Sequence, residues 1–219
     1  MRVSPPWDPA PETRLREELV ILELRSIVSP MRRFPTELLA EVFVHTLPST
    51  APEAEATSHD HFTFKISPWG LVHICSRWRN VAVSTPSLWR RVVVAFTPNR
   101  DDLPYPLPLL RTPLQRSPRL EVVFNGSHEA SAAQSAALSL LLDYADKIVY
   151  LRAVLPLELL AAFERTIGNH CTSLRRLYIR LFCAADQGTP ILRCFEDAPK
   201  LSELCIEYGG CNLTVLAPT

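Results

Sequence analysis

The chain has 219 residues, 47% of them hydrophobic, with 23 basic and 23 acidic side chains in exact balance. That is enough apolar material for one domain or two small ones, and the absence of net charge removes any bulk field that would draw in nucleic acid or an anionic membrane. The opening MRVSPPWDPAPETRLREELV lacks the uninterrupted apolar core of a signal peptide, and no stretch reaches the roughly 18 to 20 apolar residues that span a bilayer. An intracellular protein, cytoplasmic or nuclear, is expected; its six cysteines (Cys75, Cys171, Cys183, Cys194, Cys205, Cys211) are then read as mostly small core residues rather than disulfide partners.

From Glu12 to Val28, Leu15, Leu19 and Leu22 recur at helical spacing between charged residues, which predicts an amphipathic helix packed on its own domain. The apolar seam fades at Ser26, too early for a coiled coil of three or four heptads. After Pro30, the stretch RRFPTELLAEVFVHTLP combines a first-turn Pro35, an acidic Glu37 at the positive end of the helix dipole, and an apolar stripe of Leu38, Leu39, Val42 and Phe43 ending at Pro48. The polar run from Ser49 to Ser67 is read as a surface loop. A second helix is expected from Ser67 and Pro68 to Thr85 and Pro86, with Leu71, Val72, Cys75, Trp78, Val81 and Ala82 on its buried stripe. Leu88 and Trp89 then turn back onto the same core.

These residues carry a family resemblance. The entry FPTELLAEVFVHTLP, the Cys-x-x-Trp-Arg helix and the Ser-Thr-Pro-x-Leu-Trp exit, together and in order over about residues 34 to 94, resemble an F-box. This helical module joins substrate adaptors to cullin-RING ubiquitin ligases. With the preceding leucine helix, the pattern is similar to F-box proteins of mushroom-forming fungi. Phe34 stands where leucine is commoner in the family, and the loop after Pro48 is longer than in compact F-boxes. The resemblance implies that Phe34, Pro35, Leu38, Leu39 and Val42 contact a Skp-type linker subunit. It implies a small core of Phe43, Leu71, Val72, Cys75, Trp78, Leu88 and Trp89.

Six prolines between Pro98 and Pro118 predict a stiff linker, because proline removes a backbone donor and interrupts helices and central strands. Beyond it, four segments align: SPRLEVVFN from Ser117, DKIVYLRAV from Asp146, TSLRRLYIR from Thr172 and PKLSELCIE from Pro199. Leu120, Ile148, Leu174 and Leu201 are spaced by 28, 26 and 27 residues, a period within the leucine-rich-repeat range. Helical periodicity in SAAQSAALSLLLDYA and PLELLAAFERTIGNH makes each unit a helix followed by a short strand. The expected fold class is therefore α+β or an α/β repeat: an N-terminal helix over 1–29, an F-box-like helical domain over 30–96, a linker over 97–117 and a degenerate leucine-rich-repeat-like array over 118–219. An ordinary α/β domain with a small parallel sheet is the competing reading.

If the strand leucines point inward, their neighbours line the other face. These are Tyr150 and Arg152, then Arg176, Tyr178 and Arg180, then Glu203, Cys205 and Glu207. A basic, tyrosine-bearing row beside an acidic one suits a protein substrate, since Arg and Tyr are frequent hot-spot residues; a solvated surface with compensating charges is the plain alternative. Enzyme chemistry is not expected. His59 and His61 have no neighbouring ligand pair, Cys205 and Cys211 lack zinc-site spacing, and the adjacency of His170 and Cys171 says nothing about catalytic geometry. No glycine-rich phosphate loop or nucleophile elbow occurs, and the three Arg-Arg pairs are dispersed. The expectation is a non-enzymatic adaptor without cofactor or metal. Its partners would be a Skp-type linker subunit with its cullin-RING ligase and a protein substrate, not nucleic acid or membrane. A repeat scaffold whose F-box-like part is only a cap is the alternative.

Overall fold

A computed structural model of the chain describes residues 11–28, 32–47, 68–96, 106–170, 172–182, 191–192, 199–208 and 214–215. The chain divides into two compact units, Met1–Glu41 and Val42–Thr219.

In the first unit, α1 spans Pro11–Val28. Its leucine stripe does not pack as expected: Leu15, Leu19 and Leu22 are exposed, as are Val20 and Ile21. Apolar residues at 20 and 21 project away from the 15, 19, 22 stripe, so no single face gathers the hydrophobic surface. Helix α2, Thr36–Thr46, begins here and runs on into the second unit. Pro35 precedes it and accepts the Leu39 amide on its carbonyl at 3.0 Å.

The second unit corrects the single helix expected after Ser67. Helix α3 covers only Pro68–Val72, and α4 covers Ser76–Ser84. Positions 72 and 81 lie about half a turn out of phase on a continuous helix, yet both valines are buried; the break at His73 and Ile74 lets both turn inward. Cys75 is extended at the N-cap of α4 and its sulfur accepts the Trp78 amide, while Arg79 Nε donates to the Val72 carbonyl at 2.9 Å. A one-turn 3-10 helix, Pro86–Trp89, follows. Trp89 is fully buried: its indole N–H donates to the Ala82 carbonyl at 2.8 Å, and Trp69 meets its ring edge-on at 5.3 Å.

The remaining elements are β1 (Arg91–Ala95), α5 (Leu107–Arg116), β2 (Leu120–Asn125), α6 (Ala132–Leu142), β3 (Ile148–Pro156), α7 (Leu157–His170), β4 (Arg176–Phe182), β5 (Ile191–Leu192), β6 (Glu203–Tyr208) and β7 (Thr214–Val215). The expected linker is corrected here, because residues 107–116 form α5 with Pro113 inside it. Proline there forfeits one helical hydrogen bond. Burial of Leu110 and Leu114, one turn apart, together with Pro113 itself, offsets that loss.

Strands β1-β2-β3-β4-β6 form one parallel sheet in that order, and β5 pairs with β7 in a second. The register matches the aligned segments from β3 onward, with Leu151 opposite Leu177 and Leu177 opposite Leu204. Between β2 and β3 it matches only at Leu120, which lies opposite Ile148; the pairing then shifts by one residue, so that Val122 faces Leu151. Val92, Val122, Leu151 and Ile179 share a core with Leu110 and Leu114 of α5, Leu138 and Leu141 of α6, and Phe163 and Ile167 of α7. The architecture is α/β: helices cover one face of the parallel sheet, and the alternate strand residues form the other face.

Candidate functional site

The other face of the sheet reads as rows across the strands. Arg91, Glu121, Tyr150, Arg176 and Glu203 stand in register; so do Val93, Val123, Arg152, Tyr178 and Cys205. The third row is Ala95, Asn125, Val154, Arg180 and Glu207. The face changes character along the rows. Val123 and Tyr150 are buried at 1% and 6% exposure with Val93 packed against them, whereas Arg180, Glu203, Cys205 and Glu207 are exposed.

Strands β3 and β4 bring tyrosines and arginines into a checkerboard. The Arg176 guanidinium lies 5.0 Å from the centre of the Tyr150 ring, and that of Arg152 lies 4.5 Å from the Tyr178 ring. Such stacking attracts a cation to the ring face and restricts a flexible side chain. The Tyr178 hydroxyl donates to Glu207, in a short hydrogen bond. Burial, first, and then the bond to the Glu207 carboxylate and its charge push the Tyr178 phenol up to about 12, against a partial opposing effect of Arg152 and Arg180. The phenol, protonated at neutral pH like any tyrosine, thereby keeps its donating form into the alkaline range. Around it these residues line a concavity of about 700 Å³.

All seven residues expected to contact a substrate, Tyr150, Arg152, Arg176, Tyr178, Arg180, Glu203 and Glu207, line this one concavity together with Cys205 and Ser202. Sequence reading missed Arg91 and Glu121, which extend the first row. Arg90, beside that row, holds Glu121 at 2.5 Å. The available signal is the β-branched run of three valines in RVVVA, since the alternation of buried and half-buried positions belongs to the folded strand; read along the chain, the run falls at the end of the helical module.

On α2 the expected linker contacts separate. Leu38 and Val42, one turn apart, are 51% and 38% exposed, whereas Leu39 is fully buried. Adjacent residues differ by about 100° around a helix, so Leu39 cannot share the Leu38 face; its place among exposed contacts is corrected. Pro35 is exposed and Phe34 half-buried. The long loop after Pro48 lies outside the described residues. Of the expected helical core, Phe43, Val72, Leu88 and Trp89 are buried. Leu71 and Trp78 are half-buried, Trp78 against Phe43 with ring centres 4.7 Å apart. Cys75 is corrected to an exposed cap, and Trp69 joins the core unpredicted.

Both described cysteines, Cys75 and Cys205, are exposed free thiols: Cys205 lies on the open sheet face as expected, whereas Cys75 was expected in the helical core. Cys171, Cys183, Cys194, Cys211, His59, His61 and the side chain of His170 lie outside the described residues. Among those described, no group of three or more His, Cys, Asp or Glu side chains could hold a metal ion, and no helix is long and apolar enough to cross a membrane. No family model matches the chain, and no match is found among curated proteins or solved structures.

Proposed function

We propose that the protein is a non-enzymatic adaptor of the F-box type. In this reading α2 docks on a Skp-type linker subunit of a cullin-RING ubiquitin ligase, and the degenerate leucine-rich-repeat-like sheet holds a protein substrate on its charged face. The observation that carries the reading is the exposure of Leu38 and Val42 on the helix with the F-box entry sequence, while Leu39 and Phe43 of the same helix are buried. An amphipathic helix that keeps two large apolar residues in solvent has a face for a partner. The adaptor's contribution is proximity: two binding surfaces on one chain raise the effective concentration of a substrate lysine near an enzyme carried by other subunits. The complete burial of Leu39 favours the rival reading, a scaffold whose helical part only caps the sheet.

The test is co-purification with a Skp-type linker subunit, run beside the double variant Pro35→Ala and Leu38→Asp. The adaptor reading expects capture by the native chain and loss in the variant, with the circular dichroism spectrum unchanged. Failure of the folded native chain to bind favours the scaffold.

A further inference from the structure

We propose that the charged sheet face binds an extended acidic peptide segment with two oxyanion groups on one side, four residues apart. This deepens the reading of that face as a partner surface and does not depend on the linker subunit. The geometry supplies the spacing. Arg176 and Arg180 project from the same face of β4 with Tyr178 between them, and alternate-face residues along a strand place the two guanidiniums on the order of 13 Å apart at their base. An extended peptide alongside β4 repeats that interval between its first and fifth residues, whose side chains also share a face. Two carboxylates, or two phosphates, can then meet Arg176 and Arg180.

The charge balance selects an anionic ligand. Three arginines, Arg152, Arg176 and Arg180, line the concavity against two carboxylates, Glu203 and Glu207. Glu207 already accepts the Tyr178 hydroxyl, and the three arginines leave the lining with a formal excess of one positive charge, carried on the β3 and β4 side. Stacking of Arg176 on Tyr150 holds its guanidinium without using its N–H donors, and planar guanidinium donors match the two oxygens of a carboxylate or phosphate. The same balance disfavours a nucleic acid. A continuous phosphate backbone would run past β4 onto Glu203 and Glu207 of β6, where like charges oppose it. A peptide with isolated acidic residues avoids them.

The experiment uses the full chain and fluorescein-labelled peptides of Gly, Thr and Val carrying glutamate at the first and fifth positions, followed by fluorescence anisotropy. Parallel arms place phosphoserine, lysine or glutamine at those positions, and a short single-stranded RNA serves as competitor. The glutamate or the phosphoserine peptide is expected to bind at least about tenfold tighter than the lysine peptide, as charge-assisted pairs require. Whichever of the two binds better identifies the source of the oxyanion. Joint Arg176→Glu and Arg180→Glu substitution should invert the preference, Glu203→Gln should tighten acidic peptides, and Arg111→Gln, at an exposed position of α5 outside the concavity, should change nothing. The milder Glu203→Gln variant keeps the test decisive if the double reversal fails to fold. Equal binding of lysine and glutamate peptides, binding of neither, or preferential binding of RNA would overturn the proposal. Because no linker subunit is present, these outcomes are independent of the co-purification result.

Discussion

The two faces of the five-stranded sheet are built from alternate residues of the same strands, yet at β3, β4 and β6 their chemistry differs sharply. Val122, Leu151, Leu177 and Ile179 lie under helices in a continuous core, while Arg152, Arg176, Tyr178 and Arg180, interleaved with them, line a solvated concavity. A strand turns successive side chains to opposite sides, so stability and recognition can be assigned to different residues of one segment. The partition is incomplete toward β2, where Val123 and Tyr150 are buried on the charged face. The same face therefore has a packed end and an open end, and a ligand meets charge chiefly at β4 and β6.

The strongest way to break this comparison is on the covered face. Phe124 is fully buried and stacks near Phe96 at 5.7 Å, so Phe124→Ala should cost about 3 to 5 kcal/mol in urea denaturation. A loss below about 1 kcal/mol would mean that the helix layer does not form the core described. A paired substitution sharpens the contrast within one strand. Leu177→Ala should cost about 2 to 5 kcal/mol. Its neighbour Arg176→Ala should cost no more than about 1 kcal/mol, the scale of an exposed cation-π contact. Equal losses would show that the charged face is structural rather than available to a ligand.

The smallest effect is expected at high pH. The folded Tyr178 phenol is raised to about 12 from an ordinary 10.0, so its stabilising contribution is complete below pH 10 and is lost as pH rises through 12. Tyr178→Phe removes that titration, and the decline of thermal stability across this interval should become shallower. Ultraviolet titration of the native chain should show a late-ionising tyrosine that the Tyr178→Phe variant lacks; identical alkaline titrations of the two would contradict the Glu207-bonded environment.

Much of this was readable along the chain, and the misses share a cause. The helical periodicity of Leu38, Leu39, Val42 and Phe43 identifies α2, and the 26- and 27-residue spacings align β3, β4 and β6 as they pair, while the 28-residue spacing holds for β2 only at Leu120. The alternation of Tyr150, Arg152, Arg176, Tyr178 and Arg180 with apolar residues placed them on one face. By contrast, β1 is only five residues long, follows directly on a helical turn and carries three consecutive valines, so no two-residue period marks it off from its surroundings. The prolines of residues 107–116 argued against a helix, and only the pocket that buries Leu110 and Leu114 overrides them. The same holds for the break before Cys75, which local periodicity smoothed into one helix.

By itself the sequence determined which residues alternate, where strands and helices recur, and therefore which side chains would share the charged face, because those periods follow from backbone geometry alone. Only the tertiary structure decided that α5 forms despite Pro113, that Leu38 and Val42 are exposed while Leu39 is buried, and that Tyr178 reaches Glu207 on the neighbouring strand. Each of these depends on contacts between segments distant in the chain, whose packing energy outweighs the local preference.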